Sequence, residues 1–183
     1  MPMMGCAMEN AFANDNDETK GMSASQAALS TPALANRGRF MRLALREAIA
    51  AARRGEVPVG AVVVAPAGEV LAAAGNRVEA LNDASAHAEV LAIRAAAARL
   101  GTPRLIGCSL YVTLEPCAMC AALASLARVR RIVFAAYDPK GGAIDHGPRL
   151  FTQSTCHHRP EVIGGVQERR ASRLLRAFFA VRR

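Results

Sequence analysis

Four side chains carry the chemistry that their types and spacing suggest: His87, Glu89, Cys117 and Cys120. Imidazole and thiolate are ligands that Zn2+ takes in a tetrahedron. His87 and the Cys117-x-x-Cys120 pair offer three of them. Three protein ligands leave one position for water, as in catalytic rather than structural zinc sites, and zinc acidifies such a water towards neutrality. Glu89 fits that chemistry. Hydrolysis needs a group that carries a proton from the attacking water to the leaving group, and a structural zinc site does not. Two other readings stand beside this one. Cys-x-x-Cys also serves thiol redox chemistry, which would leave His87 and Glu89 without a task. A fourth thiol from Cys108 or Cys156 would close the site into a structural one.

Twenty-six residues separate Glu89 from Pro116, so the fold must bring the two halves together. The apolar period predicts an amphipathic helix from residue 39 to Gly55, with Met41, Leu45, Ile49 and Ala52 on one face. A β-branched strand (59–66) and its hairpin partner (69–77) follow, turning at Ala67–Gly68. Helix 86–101 carries His87 at its start, and strand 109–115 leads into helix 116–127, with Pro116 at the first helical position. Strand 131–137, a Gly/Pro-rich loop to about residue 160, a short strand at 161–163 and a closing helix (167–183) complete the order. In that last helix Leu174, Leu175, Phe178 and Phe179 are expected to face inward. Helices alternating with strands imply an α/β fold, a three-layer αβα sandwich, and the first hairpin makes its five-stranded sheet mixed. Cys117 at a helix N-terminus is placed where free N–H groups favour the thiolate. His87 and Glu89, two apart, do not share a helix face. Both can address one water only if the site caps the helix end.

Residues 1–36 show no sustained period and read as a disordered extension ahead of a domain at 37–183. Their net charge is −3 against +11 for the remainder, within a total of +8. A basic body suggests a polyanionic partner, nucleic acid first, and an arginine-rich solvated surface is the other reading. Five irregularly spaced cysteines fit a reducing cytoplasm better than a disulfide framework. No apolar run approaches the ~20 residues of a membrane span.

His-x-Glu followed by Pro-Cys-x-x-Cys is the signature of the zinc-dependent deaminases. With "EVPVGAV" (56–62), "GNR" (75–77), "AHAEVLAIR" (86–94), "LYVTLEPCAMCAAL" (110–123), "RIVFAAYDPKGGA" (131–143), "HRPEV" (158–162) and "LLRAFF" (174–179), the chain from about residue 39 resembles the bacterial tRNA-specific adenosine deaminases. The resemblance implies a cytidine-deaminase-like fold and one zinc per subunit of a homodimer. It also implies hydrolysis of adenosine to inosine at the wobble position of a tRNA anticodon stem-loop. His87, Cys117 and Cys120 become the metal ligands and Glu89 the proton shuttle. Asn76 becomes the base-recognising amide, and Asp138 and Lys140 become RNA contacts. Asn76 also reads as a plain turn residue and Lys140 as part of a solvated loop. The chain departs from the family at "DHGPRLF" (145–151) and in Arg169 and Arg170, which with Arg173, Arg176, Arg182 and Arg183 extend a phosphate-binding surface or merely solvate a helix. A small-molecule nucleobase deaminase of the same fold shares the zinc motif. A catalytically idle zinc-holding RNA-binding subunit would not need Glu89.

Overall fold

A computed structural model of the chain describes residues 31–180, with side chains from residue 37 on. Residues 1–30 of the expected extension therefore lie outside the described residues, and from Thr31 the backbone is helical. A compact unit begins at Ala35. Helix α1 (Thr31–Arg53) precedes the hairpin of β1 (Gly60–Val64) and β2 (Val70–Gly75). The short helix α2 (Val78–Leu81), α3 (Ala88–Leu100), β3 (Ser109–Leu114), α4 (Ala118–Leu126) and β4 (Arg131–Ala136) follow. A 3-10 turn at Leu150–Thr152, β5 (Glu161–Ile163) and α5 (Glu168–Ala180) close the chain.

The five strands form one sheet in the order β2-β1-β3-β4-β5. Strand β1 is antiparallel to both neighbours, while β3, β4 and β5 run parallel. The mixed sheet expected from the first hairpin is thus present. Alternation along the strands sorts their side chains into two cores. Ala61, Val63, Leu110, Val112, Ile132 and Phe134 pack with the alanine-rich faces of α3 and α4. Val62, Val64, Tyr111, Val133 and Ala135 pack with α1 and with Ala171 of α5. This is the three-layer sandwich.

Two features of the helices differ from the sequence reading. The buried face of α1 is Met41, Ala44, Leu45, Ala48 and Ala51, while Ile49 is 40% exposed. Alanine wins over isoleucine there because the helix lies almost against the sheet. A Cβ on Gly60 would sit 2.1 Å from the Ala44 carbonyl oxygen, and one on Gly75 would sit 2.6 Å from that of Glu47. Only small residues on both sides allow such an approach. In α5, Phe179 is 46% exposed instead of inward, because Phe178 and Phe179 wall a cavity at the carboxyl end of the sheet.

Among the described residues no helix is long and apolar enough to cross a membrane.

Candidate active site

The two halves of the motif meet at that cavity. His87 is the N-cap of α3, with φ −67° and ψ 150°. Cys117 is the N-cap of α4, with φ −71° and ψ 173°. Extended backbone at a cap turns each side chain off its helix axis. This removes the difficulty of His87 and Glu89 being two apart, because His87 stands outside the helix and Glu89 sits in its first turn. Pro116 precedes the cap, so it is not the first helical residue. The first helical position falls to Ala118 because Cys117 is held extended to aim its sulfur, and the Pro116 carbonyl accepts from the Ala143 N–H instead.

The His87 Nδ1 atom lies 3.7 Å from Cys117 Sγ and 3.5 Å from Cys120 Sγ. All three ligand atoms fall within 4.8 Å of one another. A tetrahedral ion with Zn–S of about 2.3 Å and Zn–N of about 2.0 Å needs S···N edges of about 3.5 Å. The donor set therefore fits zinc in both type and spacing. Among the described residues no fourth ligand joins it. Cys108 is buried elsewhere, its thiol near the Ile106 carbonyl, and Cys156 lies beside Ser125. The site is open.

The thiols are already poised for a cation. Hydrogen bonds from Cys120 and His87 pull Cys117 down to about 4. The same bond to Cys117, then burial and the nearby Glu89 charge, push Cys120 up. The pair alone thus carries one negative charge, on Cys117, and a bound metal would hold both as thiolates. The Cys117 contact also raises His87. Glu89 is 4% exposed and reaches this cluster. Burial raises its pKa and the Cys117 thiolate adds to the rise, against hydrogen bonding from its own backbone. A carboxyl raised above its ordinary value, beside a centre that can acidify water, is matched to proton transfer.

Above these groups lies a cavity of about 770 Å³, large enough for a nucleobase and its sugar. One wall carries Asn76, which is 6% exposed. Its Nδ2 donates to Glu56 Oε2 at 3.2 Å. The Glu56 carboxylate, 1% exposed, also accepts from the N–H groups of Ala80 at 2.9 Å and Glu79 at 3.3 Å, at the start of α2. Burial would raise Glu56, but these three hydrogen bonds and the Arg54 charge outweigh it and hold it below the usual 4.5. With one amide hydrogen taken up by Glu56, Asn76 keeps Oδ1 and a second hydrogen for a ligand.

The opposite wall is the 137–146 loop. Asp138 lines the cavity and shapes the loop, its Oδ1 accepting from the N–H groups of Lys140 and Gly141, both at 3.1 Å. Lys140 is exposed and is not among the lining residues. The loop is anchored on Glu115, 2% exposed. That carboxylate accepts from the N–H groups of Asp138, Ile144, Asp145 and His146, at 2.8–3.2 Å, and from His146 Nδ1 at 2.7 Å. Burial would raise Glu115, and this donor set lowers it overall. Gly142 must be glycine, since a Cβ would fall 2.5 Å from the Glu115 carboxyl carbon.

Structure therefore brings His87, Glu89, Cys117, Asn76 and Asp138 to one cavity and leaves Lys140 exposed outside its lining. Sequence reasoning missed Glu56, Glu115, Phe178 and Phe179. A signal for the two glutamates was present: each is an acid embedded in an apolar run, "GEVPVG" and "VTLEPC", where an unpaired carboxylate would be costly.

Comparison with known proteins agrees with this geometry. Residues 35–136 match the family model described as the cytidine and deoxycytidylate deaminase zinc-binding region. The tRNA-specific adenosine deaminase of Agrobacterium fabrum (strain C58) is 53% identical over 150 residues, covering 82% of this chain and 98% of that protein. The protein of the same name from Bacillus subtilis (strain 168) is 46% identical over 140 residues, 76% of this chain and 86% of its own length. A solved structure from work on A-to-I editing by tRNA:A34 deaminases at the wobble position superposes with a TM-score of 0.74 at 54% identity, over 75% of this chain and 99% of that one. A guanine deaminase from Nitrosomonas europaea superposes at 0.64 with 25% identity, over 91% and 99%. This chain belongs to the zinc-dependent cytidine and deoxycytidylate deaminase superfamily and, within it, to the family of tRNA-specific adenosine deaminases.

Proposed function

We propose that residues 37–183 form a catalytic domain that converts adenosine to inosine at the wobble position of tRNA by hydrolysis, with His87, Cys117 and Cys120 holding one zinc per subunit. One observation carries the reaction type: a buried carboxyl, Glu89, faces a three-ligand centre at the floor of a base-sized cavity. The substrate rests on the relatives named above, and the +11 body supports a polyanion.

When bound, zinc supplies an acidified water and positive charge against the charge that develops on the base. The protein does the rest. Phe178 and Phe179 offer aromatic faces to a base splayed out of its loop. Asn76, held by Glu56, presents donor and acceptor to the purine edge. Glu89 takes a proton from the attacking water and passes it to the ring nitrogen as the amine-bearing carbon becomes tetrahedral. A second transfer through the same carboxyl protonates the amine, which leaves as ammonia, and the carbonyl of inosine forms. Asp138 and Lys140 are assigned to the flanking RNA, Asp138 from the cavity wall and Lys140 from the exposed part of the same loop. The reading includes a homodimer, which the exposed Leu126 and Met119 on α4 support, and a cytoplasmic location, where tRNA is met.

The test is incubation with an anticodon stem-loop carrying a wobble adenosine, with free nucleobases in parallel. Inosine in the RNA that disappears in Glu89→Ala with zinc retained is the expected result. Ammonia from free guanine alone would transfer the assignment to the small-molecule branch, and no turnover of either would leave a zinc-holding RNA-binding subunit.

A further inference from the structure

The sheet has two functional ends. The carboxyl ends of β3 and β4 feed Cys117, Cys120 and the 137–146 loop. At the other end, where these strands begin at Ser109 and Arg131, lies a separate groove of about 720 Å³. Six residues of β3 at about 3.3 Å each place the two ends roughly 20 Å apart. Arg104, Arg128, Arg130 and Arg159 line this groove together with His158. All four arginines are exposed. Its one acid, Glu161, is taken up by Arg131 at 2.8 Å. The groove therefore keeps a surplus of four guanidinium charges.

Two further observations separate it from an ordinary solvated face. First, the segments that present the arginines are laced together by backbone bonds. Leu105 N–H donates to the Ala127 carbonyl, Arg130 N–H to that of Cys108, and Glu161 N–H to that of Arg130. His158 Nε2 lies 2.7 Å from the Val129 carbonyl. The segments that bear the charges form one frame, so engaging a ligand orders arginine side chains but little backbone. Second, Arg128 occupies the left-handed position after α4, at φ +59°. Glycine is the cheap residue there, and an arginine costs backbone strain. That cost is incurred at a position whose side chain faces the groove.

We propose that this groove is a second RNA contact, which holds backbone phosphates of the substrate tRNA remote from the reacting nucleotide. Guanidinium forks match phosphate oxygens bidentately, and four of them spread along one groove suit a chain of phosphates better than a single ion. The assignment rests on the tRNA reading above. It adds that a full tRNA is held at two places, the anticodon loop at the cavity and backbone beyond it at the groove.

The test compares wild type with the triple variant Arg104→Gln, Arg128→Gly, Arg130→Gln on two RNAs: full-length tRNA with a wobble adenosine, and its short anticodon stem-loop. Zinc content and stem-loop turnover should match wild type, and the variant should melt no lower, since Arg128→Gly relieves a strained position. Full-length tRNA should bind more weakly and with a shallower salt dependence. Between 50 and 200 mM salt the wild type should lose roughly 20- to 40-fold more affinity than the variant, at about 0.7–0.9 of logarithmic slope for each of three phosphate contacts. Unchanged tRNA affinity would overturn the proposal, whether a second copy or an acidic protein occupies the groove. Equal weakening of both RNAs would overturn it too, because the contact would then not be remote. Absence of inosine from either RNA with the wild type would instead remove the tRNA reading and the groove's assignment with it.

Discussion

Glu89 and Glu115 are both almost wholly buried beside the same cavity, yet they are opposite kinds of carboxyl. Glu115 is surrounded by donors: four backbone N–H groups and an imidazole. It stays charged and shapes the loop. Glu89 has thiols and a histidine for neighbours, and burial raises its pKa. It binds a proton more readily than an exposed carboxylate would. Glu56 belongs with Glu115, since its donors lower it and it orients Asn76. Burial alone does not mark a catalytic acid. The number of hydrogen-bond donors facing the buried carboxyl does.

The largest effect should follow from Glu89→Gln. Inosine formation in single turnover should fall by about 10²–10⁴-fold, the usual contribution of a positioned proton carrier. Stability should hold or rise, because the substitution removes a buried carboxyl with few donors. A variant that loses zinc or melts early would place Glu89 with the structural carboxylates. Glu115→Gln should show the reverse pattern. Its amide turns two hydrogens towards N–H groups that need an acceptor, at a cost of about 3 kcal/mol. Chemical denaturation should read that loss. Turnover on the stem-loop should fall only as far as the 137–146 loop loosens, with zinc content unchanged.

Asn76 gives a smaller effect that separates orientation from chemistry. On the proposed reading, Asn76→Ala removes hydrogen bonds to the base worth about 1–2 kcal/mol, or roughly 5- to 30-fold. Glu56→Gln leaves Asn76 in place but frees its rotamer. Both should raise KM for the stem-loop more than they lower kcat. An equal fall in kcat and kcat/KM for Glu56→Gln would mean that Glu56 supports the centre itself.

The same contrast explains what the sequence could show. Candidate metal ligands are legible because Zn2+ demands particular atoms at particular spacings, so His87, Cys117 and Cys120 stand out without coordinates, and Glu89 stands out by its place beside them. The strands and the mixed character of the sheet were legible because β-branched runs and the Ala67–Gly68 turn have local causes. Glu56 and Glu115 answer to backbone N–H groups 20 or more residues away, and no local pattern encodes those partners. Close packing was hidden for the same reason. The buried face of α1 is chosen by Gly60 and Gly75 on the sheet, not by its own most apolar residues. Phe178 and Phe179 carry the period of a core helix, and only the cavity beside them gives them another use.

The smallest effect concerns the charge on Glu56. Its folded pKa lies below the ordinary 4.5, so the unfolded chain binds the proton more readily. The carboxylate then contributes stability that is complete above about pH 4.5 and is lost as pH falls through the lower folded value. Glu56→Gln has no such charge to lose. At pH 7 the variant should be less stable than wild type by about 1–2 kcal/mol, the worth of hydrogen bonds to a charged acceptor less those an amide still makes. In acid the two should converge. Taking the difference between wild type and variant at each pH cancels the protonation of the zinc ligands, which both share. A gap that stays constant from pH 7 into acid would show that Glu56 supports Asn76 by shape, and that the charge on this second buried carboxyl is incidental.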